Sequence, residues 1–473
     1  MGGAGGRKWS LTTSEDVTEQ RIDTKHPDYS EEMWQKCRDF VIGGDRVKSQ
    51  GRRYLPELSG QSLERYEAYK ARAMFYDATS RTMQGLMGAI FRRPFECAVE
   101  FLPLVRGVVR DLTRELLIAG RVSLWVDVDA GGKPYLTVYR AEDLVNWKVM
   151  RFRGEERLTL AVLRELVEDD LQSLDHDRGW QYRLVRSDGD GVRVEVYQLA
   201  QDVQGRESWE LVNEVEMLER GEPLEKMPLV VLSARGVETE VRPSPILGLV
   251  NANLSHYQSS ADLENGRHYT GLPTAWVAGF RIGTGGNALV VGSEQAWVTD
   301  NPQARAGYLE FTGQGLHSLE EALRTKEHLM SVLGSRLLEG QRVGVEAAET
   351  ARIRWAGESA TLTSIVQSVE EGISRSLEFV NRFAGTDYDV SVKLNDDFSA
   401  ARLSAGDVKA LTQSWQLGLL SHETALENFK RGEILRGDKE ISQEIDDIVN
   451  ARVRPDAKAR FDLGDSYVVE GGT

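Results

Sequence analysis

The stretch that decides the fold is residues 243–385, which opens with PSPILGLVNANLSHYQSSA at positions 243–261. Apolar residues recur in it at alternating gaps of three and four, at Leu247, Val250, Leu254, Tyr257 and Ala261. This spacing places them in a narrow stripe on one face of an α-helix, which indicates packing beside another helix. We expect Ser244 to be the N-cap and Pro245 the first helical residue.

A second and a third helix follow a Gly-rich segment whose short apolar runs at 274–277, 288–291 and 308–311 indicate a small β-containing insertion. Ser318 and Glu321 have the spacing of a capping box, and Lys326 interrupts the apolar face of the helix that follows. After the glycines of 340–344, one helical pattern runs from Ala347 to about Phe383. Some 35 residues at ~1.5 Å each would span roughly 50 Å, more than a small domain needs.

The region before Pro243 predicts an α+β domain. Its helices are expected at Glu31–Ile42, from Ser62 to about Ile90, and from about Leu104 to Ala119. Alternating apolar residues predict strands at 122–128, 135–139, 182–186, 192–199, 209–215 and 229–232. After the long helix, residues 388–394 alternate as a strand, and residues 404–453 predict two or three short helices.

Composition indicates a folded chain with an acidic balance. The 473 residues are 41% hydrophobic and 28% charged, and the net charge is −16. An acidic surface argues against tight, static binding of DNA, which usually needs the opposite charge. No stretch of about 18 apolar residues predicts a membrane helix, and the first six residues lack the core of a signal peptide. Cys37 and Cys97, the only cysteines, make neither a disulfide framework nor a zinc cluster.

The sequence contains no strong catalytic signature. It has no P-loop motif, no Gly-x-Ser-x-Gly and no pair of histidines at metal-binding spacing. The Gly-rich run at 283–287 does not open a helix, which favours a loop over a nucleotide site. Asp127 and Asp129 resemble an Asp-x-Asp metal motif, but they precede a Gly-Gly turn, where Asp is common. We therefore expect no enzyme activity, no cofactor and no metal.

Four motifs carry a resemblance to a known family: Tyr54-Leu-Pro-Glu-Leu-Ser-Gly-Gln-Ser62, Tyr66-Glu-Ala-Tyr-Lys-Ala-Arg-Ala73, Gly85-Leu-Met-Gly-Ala-Ile-Phe-Arg-Arg-Pro94 and Gly120-Arg-Val-Ser-Leu-Trp-Val-Asp127. Together they resemble a phage portal-like family long catalogued as a domain of unknown function. The resemblance covers about residues 30–400. The order of the segments also resembles that of tailed-phage portal proteins, the head-to-tail connectors.

The resemblance implies a portal-type fold with nine segments. These are a flexible N-terminal arm (1–29), a first part of the α/β wing (30–242), stem helix one (243–269), the clip (270–316), stem helix two (317–337), the tunnel loop (338–349), the tunnel helix with a returning wing strand (350–403), an α-helical crown (404–455) and a C-terminal tail (456–473).

The resemblance also implies a function and its residues. The chain would form a homo-oligomeric ring, usually of twelve subunits, at one capsid vertex of a virion, after assembly in the host cytoplasm. Its partners would be double-stranded DNA in the channel, the terminase, head–tail adaptor or tail proteins, and the major capsid or scaffold protein, with no membrane. The tunnel loop contributes Glu339, Gly340, Gln341, Arg342, Val343, Gly344 and Glu346. The DNA-facing candidates are Lys326, Arg336 and Arg342, and the clip candidates are Arg281, Gly283, Gly285, Asn287 and Trp297.

Two alternatives stay open from the sequence. Another ring-forming virion structural protein, such as an adaptor or baseplate subunit, would share acidity and ring assembly, but it predicts no helix–insertion–helix–long-helix order. A hydrolase or transferase would use Asp127 and Asp129.

Overall fold

The computed structural model describes residues 22–152, 154–168, 178–187, 191–201, 207–271, 274–279, 301–309, 314–338, 348–396, 398, 405–431, 434–435 and 440–453. The chain divides into two units. The first comprises Met1–Leu338 with Ala347–Phe398, and the second comprises Glu339–Glu346 with Ser399–Thr473. The described elements mix helices and antiparallel strands, as the expected α+β class requires.

The first unit opens with helices α1 Glu31–Ile42, α2 Gly44–Ser49, α3 Leu63–Arg72, α4 Ala78–Ile90 and α5 Leu102–Ala119. Strand β1, Glu96–Cys97, lies between α4 and α5. Short 3₁₀ turns lie at Gly51–Arg53 and Ala141–Asp143. The predicted boundaries of α1 are confirmed, and α5 begins two residues before the predicted Leu104.

The single helix predicted from Ser62 to Ile90 is wrong, because the structure divides it into α3 and α4. Ser62 does cap the first of them, and its side chain accepts a hydrogen bond from the Arg65 amide. At Ala73 the backbone turns to an extended conformation with ψ 126°. The next amide, of Met74, donates to the hydroxyl of Ser260 at 3.1 Å. A contact distant in sequence therefore interrupts a pattern that is locally helical.

Two antiparallel sheets follow. The smaller has the order β10-β2-β3, with β2 Arg121–Val128, β3 Pro134–Arg140 and β10 Leu229–Ser233. The larger is a meander of six strands in sequence order: β4 Leu144–Phe152, β5 Glu155–Glu168, β6 Arg178–Ser187, β7 Val192–Gln201, β8 Glu207–Glu219 and β9 Glu222–Pro223. The sequence patterns predicted β2, β3, β6, β7, β8 and β10, but they missed β4 and β5. Two register shifts in the β4–β5 pair break the alternation of side chains that reveals a strand.

The remaining elements of the first unit are helices α6 Leu247–Gly271, α7 Gln314–Leu338 and α8 Ala348–Ala384, and strands β11 Thr274–Ala278, β12 Arg305–Leu309 and β13 Val392–Lys393. The predicted stripe of α8 is confirmed as the buried face, since the core includes Leu362, Val366, Val369, Ile373, Leu377 and Val380. These side chains pack in one cluster with α5, β2 and β10.

The strand predicted at 388–394 is wrong for most of its length, since only Val392–Lys393 pairs, with Glu96–Cys97. Side chains occupy the backbone groups that a strand would use. Asn381 Nδ2 donates to the Tyr388 carbonyl, and the Ser391 amide donates to Asp389 Oδ1. The Leu394 amide donates to the Glu370 carboxylate at 2.7 Å.

The arginines of α1 and β2, Arg38 and Arg121, differ in how their charges are balanced. Arg38 on α1 makes bidentate contacts to Glu115 and to Glu142, with N···O distances of 2.8–2.9 Å. Arg121, at the start of β2, is stacked 3.8 Å above the ring of Trp147, and its nitrogens have no hydrogen-bond partner among the described residues. Burial lowers the pKa of Arg121 to about 9. The indole face is thus the main compensation for that desolvated cation.

The second unit contains three described helices, α9 Ala405–Gln416, α10 His422–Arg431 and α11 Ile441–Val453. Gly418 ends the first with a φ of 75°, and Ser421 caps the second by accepting from the Thr424 amide at 3.0 Å. Ala425 and Leu426 of α10 are buried. The helices match the segments predicted for 404–453, with breaks where the glycines occur.

Gly120 makes the turn from α5 into β2, and it supplies a test of this packing. Its φ is +72°, and a Cβ there would lie 3.1 Å from the Pro243 carbonyl oxygen. Gly120→Ala should lower the free energy of unfolding by about 1–2 kcal/mol, because a left-handed conformation is unfavourable for alanine. Urea unfolding of the purified protein measures the change.

Gly107, within α5, is the matched control, since a Cβ there would meet nothing within 4 Å. Gly107→Ala should leave stability unchanged or raise it by about 0.5–1 kcal/mol. Equal effects of the two substitutions would contradict the role given to Gly120.

Candidate functional site

The candidate site is the segment from α6 to α8, in which α6 and α7 form an antiparallel pair. Arg267 near the end of α6 contacts Glu320 near the start of α7 at 2.8 Å. At the other end, Leu249 and Ala252 of α6 cluster with Met330 of α7. Residue numbers that rise along one helix therefore fall along the other, as a hairpin of two helices requires.

The predicted first residues of both helices differ from the structure. Helix α6 begins at Leu247, two residues after the predicted Pro245, but Ser244 does accept a hydrogen bond from the Ile246 amide at 3.3 Å. The Ser244 hydroxyl also donates to the Ile118 carbonyl at 2.6 Å and anchors the chain to α5. Helix α7 begins at Gln314, four residues before the predicted cap Ser318. The first turn of α7 is held by packing, since Leu316 lies directly against Gly266 of α6.

A small hairpin connects to the ends of the pair. Strands β11 and β12 pair antiparallel, with Trp276 opposite Gly307 and Ala275 opposite Tyr308. Two large aromatic side chains are exposed there, Trp276 at 42% and Tyr308 at 56%. Exposed Trp and Tyr side chains are typical of protein-binding surfaces. The sequence patterns predicted both strands but did not single out these residues, although an aromatic pair in a two-stranded hairpin was the available signal.

The predicted clip residues Arg281, Gly283, Gly285, Asn287 and Trp297 lie outside the described residues, as do the tunnel-loop residues Glu339, Gly340, Gln341, Arg342, Val343, Gly344 and Glu346. Arg336 lies in the last turn of α7, in a part of that helix where only the backbone is described. The structure therefore brings none of these residues to a described site, and their roles stay predictions.

Lys326 is the one DNA-facing candidate whose side chain is described. Its ammonium group donates to the Ser255 carbonyl at 3.1 Å and to the Ser259 hydroxyl at 2.6 Å, both on α6. Desolvation lowers the pKa of Lys326, and nearby Asp262 partly opposes the shift. Lys326, which interrupts the apolar stripe of α7, is thus bound to α6 by hydrogen bonds from its ammonium group.

The next residue along each helix makes a second polar contact, between His256 of α6 and Glu327 of α7. His256 is buried on α6, and its Nε2 lies 3.3 Å from the Glu327 carboxylate on α7. Its ring also lies 5.5 Å from that of Tyr76, and Lys326 is a neighbouring cation. Burial lowers the pKa of His256, while the hydrogen bond to Glu327 raises it by a smaller amount.

Polar contacts also join the pair to α4. Asn253 Nδ2 donates to the buried Thr79 hydroxyl at 3.0 Å, which links α6 to α4. Gly334 of α7 lies so close to Thr82 that an added Cβ would be 2.8 Å from its hydroxyl. The helix pair is therefore built into the fold of the first unit and shares its packing with α4.

The two aspartates of the Asp-x-Asp pattern are held by neighbouring groups. Asp127 accepts from Arg183 at 2.9 Å and from Trp125 at 3.1 Å, and Asp129 accepts from the Gly131 and Lys133 amides within its turn. Both aspartates are therefore committed to structural contacts. Within the described ranges no cluster of His, Cys, Asp and Glu could hold a metal ion.

A cleft of about 920 Å³ lies between the β4–β5 hairpin, β10 and the end of α8. Its charged groups are of both signs. Arg157 contacts Glu155 and Glu225, and Arg151 contacts Glu156, at 3.1–3.3 Å. Paired charges of this kind favour neither an anionic nor a cationic ligand.

Comparison with known proteins gives one family match. Residues 245–384 match a family model described as "Domain of unknown function (DUF4055)". No curated protein matches the chain. A chain from a solved structure titled "Virion of native gene transfer agent (GTA) particle" is similar over 80% of this chain and 95% of its own, with 11% identity and a TM-score of 0.37. A TM-score of this size does not establish a shared fold.

Among the described residues, none of the helices has the length and apolar character needed to cross a membrane.

The burial of His256 predicts how the free energy of unfolding depends on pH. Because the folded pKa of His256 is lowered below its ordinary value of 6.5, the unfolded chain binds a proton more readily than the folded protein. The His256 contribution is therefore fully present at neutral pH and is lost as pH falls below the ordinary value. The urea midpoint should decrease between about pH 7.5 and about pH 5.5, and less so in His256→Gln.

His268 is exposed on the same helix and provides the control. His268→Gln should retain the wild-type dependence on pH. An identical slope in His256→Gln and wild type would show that His256 does not sense pH in this way.

Proposed function

We propose that this chain is the portal protein of a tailed phage. It forms a ring at one capsid vertex, provides the channel for genome packaging and ejection, and docks the terminase and the tail or adaptor proteins. The proposal has no enzymatic step and no cofactor; energy for packaging comes from the terminase. The chain works in the virion, after assembly in the host cytoplasm.

The observation that carries the proposal is the order of elements between Leu247 and Ala384. An antiparallel helix pair bears a small exposed hairpin at one end, and a helix of 37 residues follows. At ~1.5 Å per residue that helix is about 55 Å long. The order matches stem, clip, stem and tunnel helix, and the family match falls on the same residues, 245–384.

The negative net charge supports a channel through which DNA moves, and it argues against tight binding of DNA. Twelve copies at −16 each would carry roughly −190, a field that repels the phosphates of a duplex. Isolated basic side chains would then give weak, reversible contacts. Lys326 is a candidate for such a contact in a ring, and its hydrogen bonds to α6 limit how far its ammonium group extends.

The second candidate function is a different ring-forming virion protein, such as an adaptor or baseplate subunit. The helix–hairpin–helix–long-helix order favours the portal over this candidate. The two proteins differ in location, since a portal is present at the capsid vertex before DNA enters.

Self-assembly is the first test of the proposal. The purified protein should form rings with an axial hole, about twelve subunits each, visible by negative-stain electron microscopy and consistent with a mass near twelve times 52.9 kDa by light scattering. A monomer under all conditions, with no ring of this chain in assembled particles, would rule the portal out. Rings found only in tails or baseplates would favour the second candidate.

Docking through the exposed aromatic hairpin is the second test. Trp276→Ala combined with Tyr308→Ala should leave ring formation unchanged and weaken capture of the terminase at least about tenfold, because exposed aromatics dominate binding energy. Pull-down of terminase by purified rings measures the effect. Leu329→Ala, at an exposed position of α7, is the control. Unchanged capture by the double variant would place the docking surface elsewhere.

A further inference from the structure

The two long strands nearest the sides of the six-stranded sheet differ in charge. Strand β8 contains the five carboxylates Glu207, Glu210, Glu214, Glu216 and Glu219 and no basic residue, and only Glu214 among them contacts an arginine of β7, Arg193. Strand β4 at the other side contains Lys148 and Arg151 and no acidic residue, and Arg151 is paired with Glu156 of β5. One side of the sheet is therefore acidic, and the opposite side keeps the positive charge of Lys148.

Each edge has backbone groups that the described residues leave available. Strand β9 pairs only with Leu218 and Glu219, so the outer side of β8 from Ser208 to Met217 has no strand beside it in the described chain. On the outer side of β4, the described contacts come from His26 and Thr24, which reach Val145 and Asn146. The part of β4 from Lys148 to Phe152 has no described neighbour there. Unpaired edges of this kind are templates for another strand.

Both edges also expose apolar side chains. Along β8, Leu211 is 40%, Val212 51%, Val215 49% and Leu218 50% exposed. Along β4, Val149 is 37% and Met150 52% exposed. Solvated strand edges usually carry charge without such side chains, because exposed apolar edges promote association. Unpaired backbone groups beside exposed apolar side chains indicate that another chain covers both edges in an assembly.

We infer that β8 of one copy of this chain joins β4 of a second copy, so that neighbouring subunits associate through opposite edges of their sheets. The charges select this arrangement. Joining β8 to β8 would bring ten carboxylates together, and joining β4 to β4 would offer Lys148 no new acidic partner; like charges across strands are destabilising. An interface between different surfaces repeats head to tail and closes into a ring where the rotation permits.

The proposed function requires copies of this chain to assemble, and the contact between β8 and β4 would be the surface they use. Only in this respect does the contact rest on the proposed function. It places subunit contact in the wing, away from the helix pair and the aromatic hairpin. Terminase docking and subunit contact would then use separate surfaces, which the variants below can separate.

Charge reversal on each edge tests the inference. The variant Glu210→Lys with Glu214→Lys and Glu216→Lys has two basic edges, since β8 then carries three lysines against two carboxylates, and the variant Lys148→Glu with Arg151→Glu has two acidic edges; all five side chains are exposed. Each variant alone should need at least about tenfold higher protein concentration for half-maximal assembly than wild type. Sedimentation velocity measures the assembled fraction.

The mixture of the two variants is the decisive arm. In an equimolar mixture every basic edge finds an acidic edge on the other variant, so assembly should return to within about threefold of wild type. The variant with all five substitutions, in which both edges are reversed, should also assemble. A merely structural defect in either variant would not be repaired by mixing, and thermal unfolding of each variant confirms that it is folded.

Glu64→Lys with Glu67→Lys and Glu100→Lys is the matched control, since it changes the same number of exposed carboxylates away from the sheet. It should assemble like wild type. Rings that form equally well in all variants would overturn the edge contact and leave the proposed portal function intact. A wild-type chain that never self-associates would overturn both.

Discussion

Burial of one face of α8 against the small sheet is the interaction on which the first unit depends. Six apolar side chains of that face enter the core, and each contributes roughly 1.5–3 kcal/mol on burial. At Gly372 the helix approaches β10 so closely that an added Cβ would lie 2.2 Å from Leu232. Ser364 and Ser368 donate to the Ala234 and Ser233 carbonyls beside it. Apolar contact thus holds the long helix, while the glycine and the serines fix its register.

The same logic extends to the helix pair. Its apolar contacts alone would tolerate sliding by a turn, because Leu, Ala and Met side chains pack in several registers. Buried polar contacts such as Asn253 with Thr79 do not tolerate it, since a shift would leave donors unpaired in the core. The contacts between α6 and α4 therefore fix the position of the helix pair along its axis.

The periodicity of apolar residues in the sequence predicted the long helices that bury one face. Helices α6, α7 and α8 each bury a stripe, so their existence follows from local spacing of apolar residues. Their starting points do not, because Ser244 bonds to the Ile118 carbonyl and Leu316 packs on Gly266, contacts between residues distant in sequence. The break between α3 and α4 has the same cause. For the candidate site, Lys326 was singled out by its place in an apolar stripe, whereas Trp276 and Tyr308 needed their exposure to be noticed.

Net charge and edge charge act over different distances in the proposed ring. Copies that carry −16 each repel one another as wholes, so their association needs attraction concentrated at short range. Opposite charges on β8 and β4 supply it within the Debye length of about 8 Å at physiological salt, where screening is weakest. Since β8 alone holds five of the acidic residues, pairing it with a basic edge would remove part of the repulsion where subunits touch. The remaining negative charge would stay on surfaces that face solvent or DNA. An acidic chain can therefore form a closed ring and still repel the duplex that passes through it.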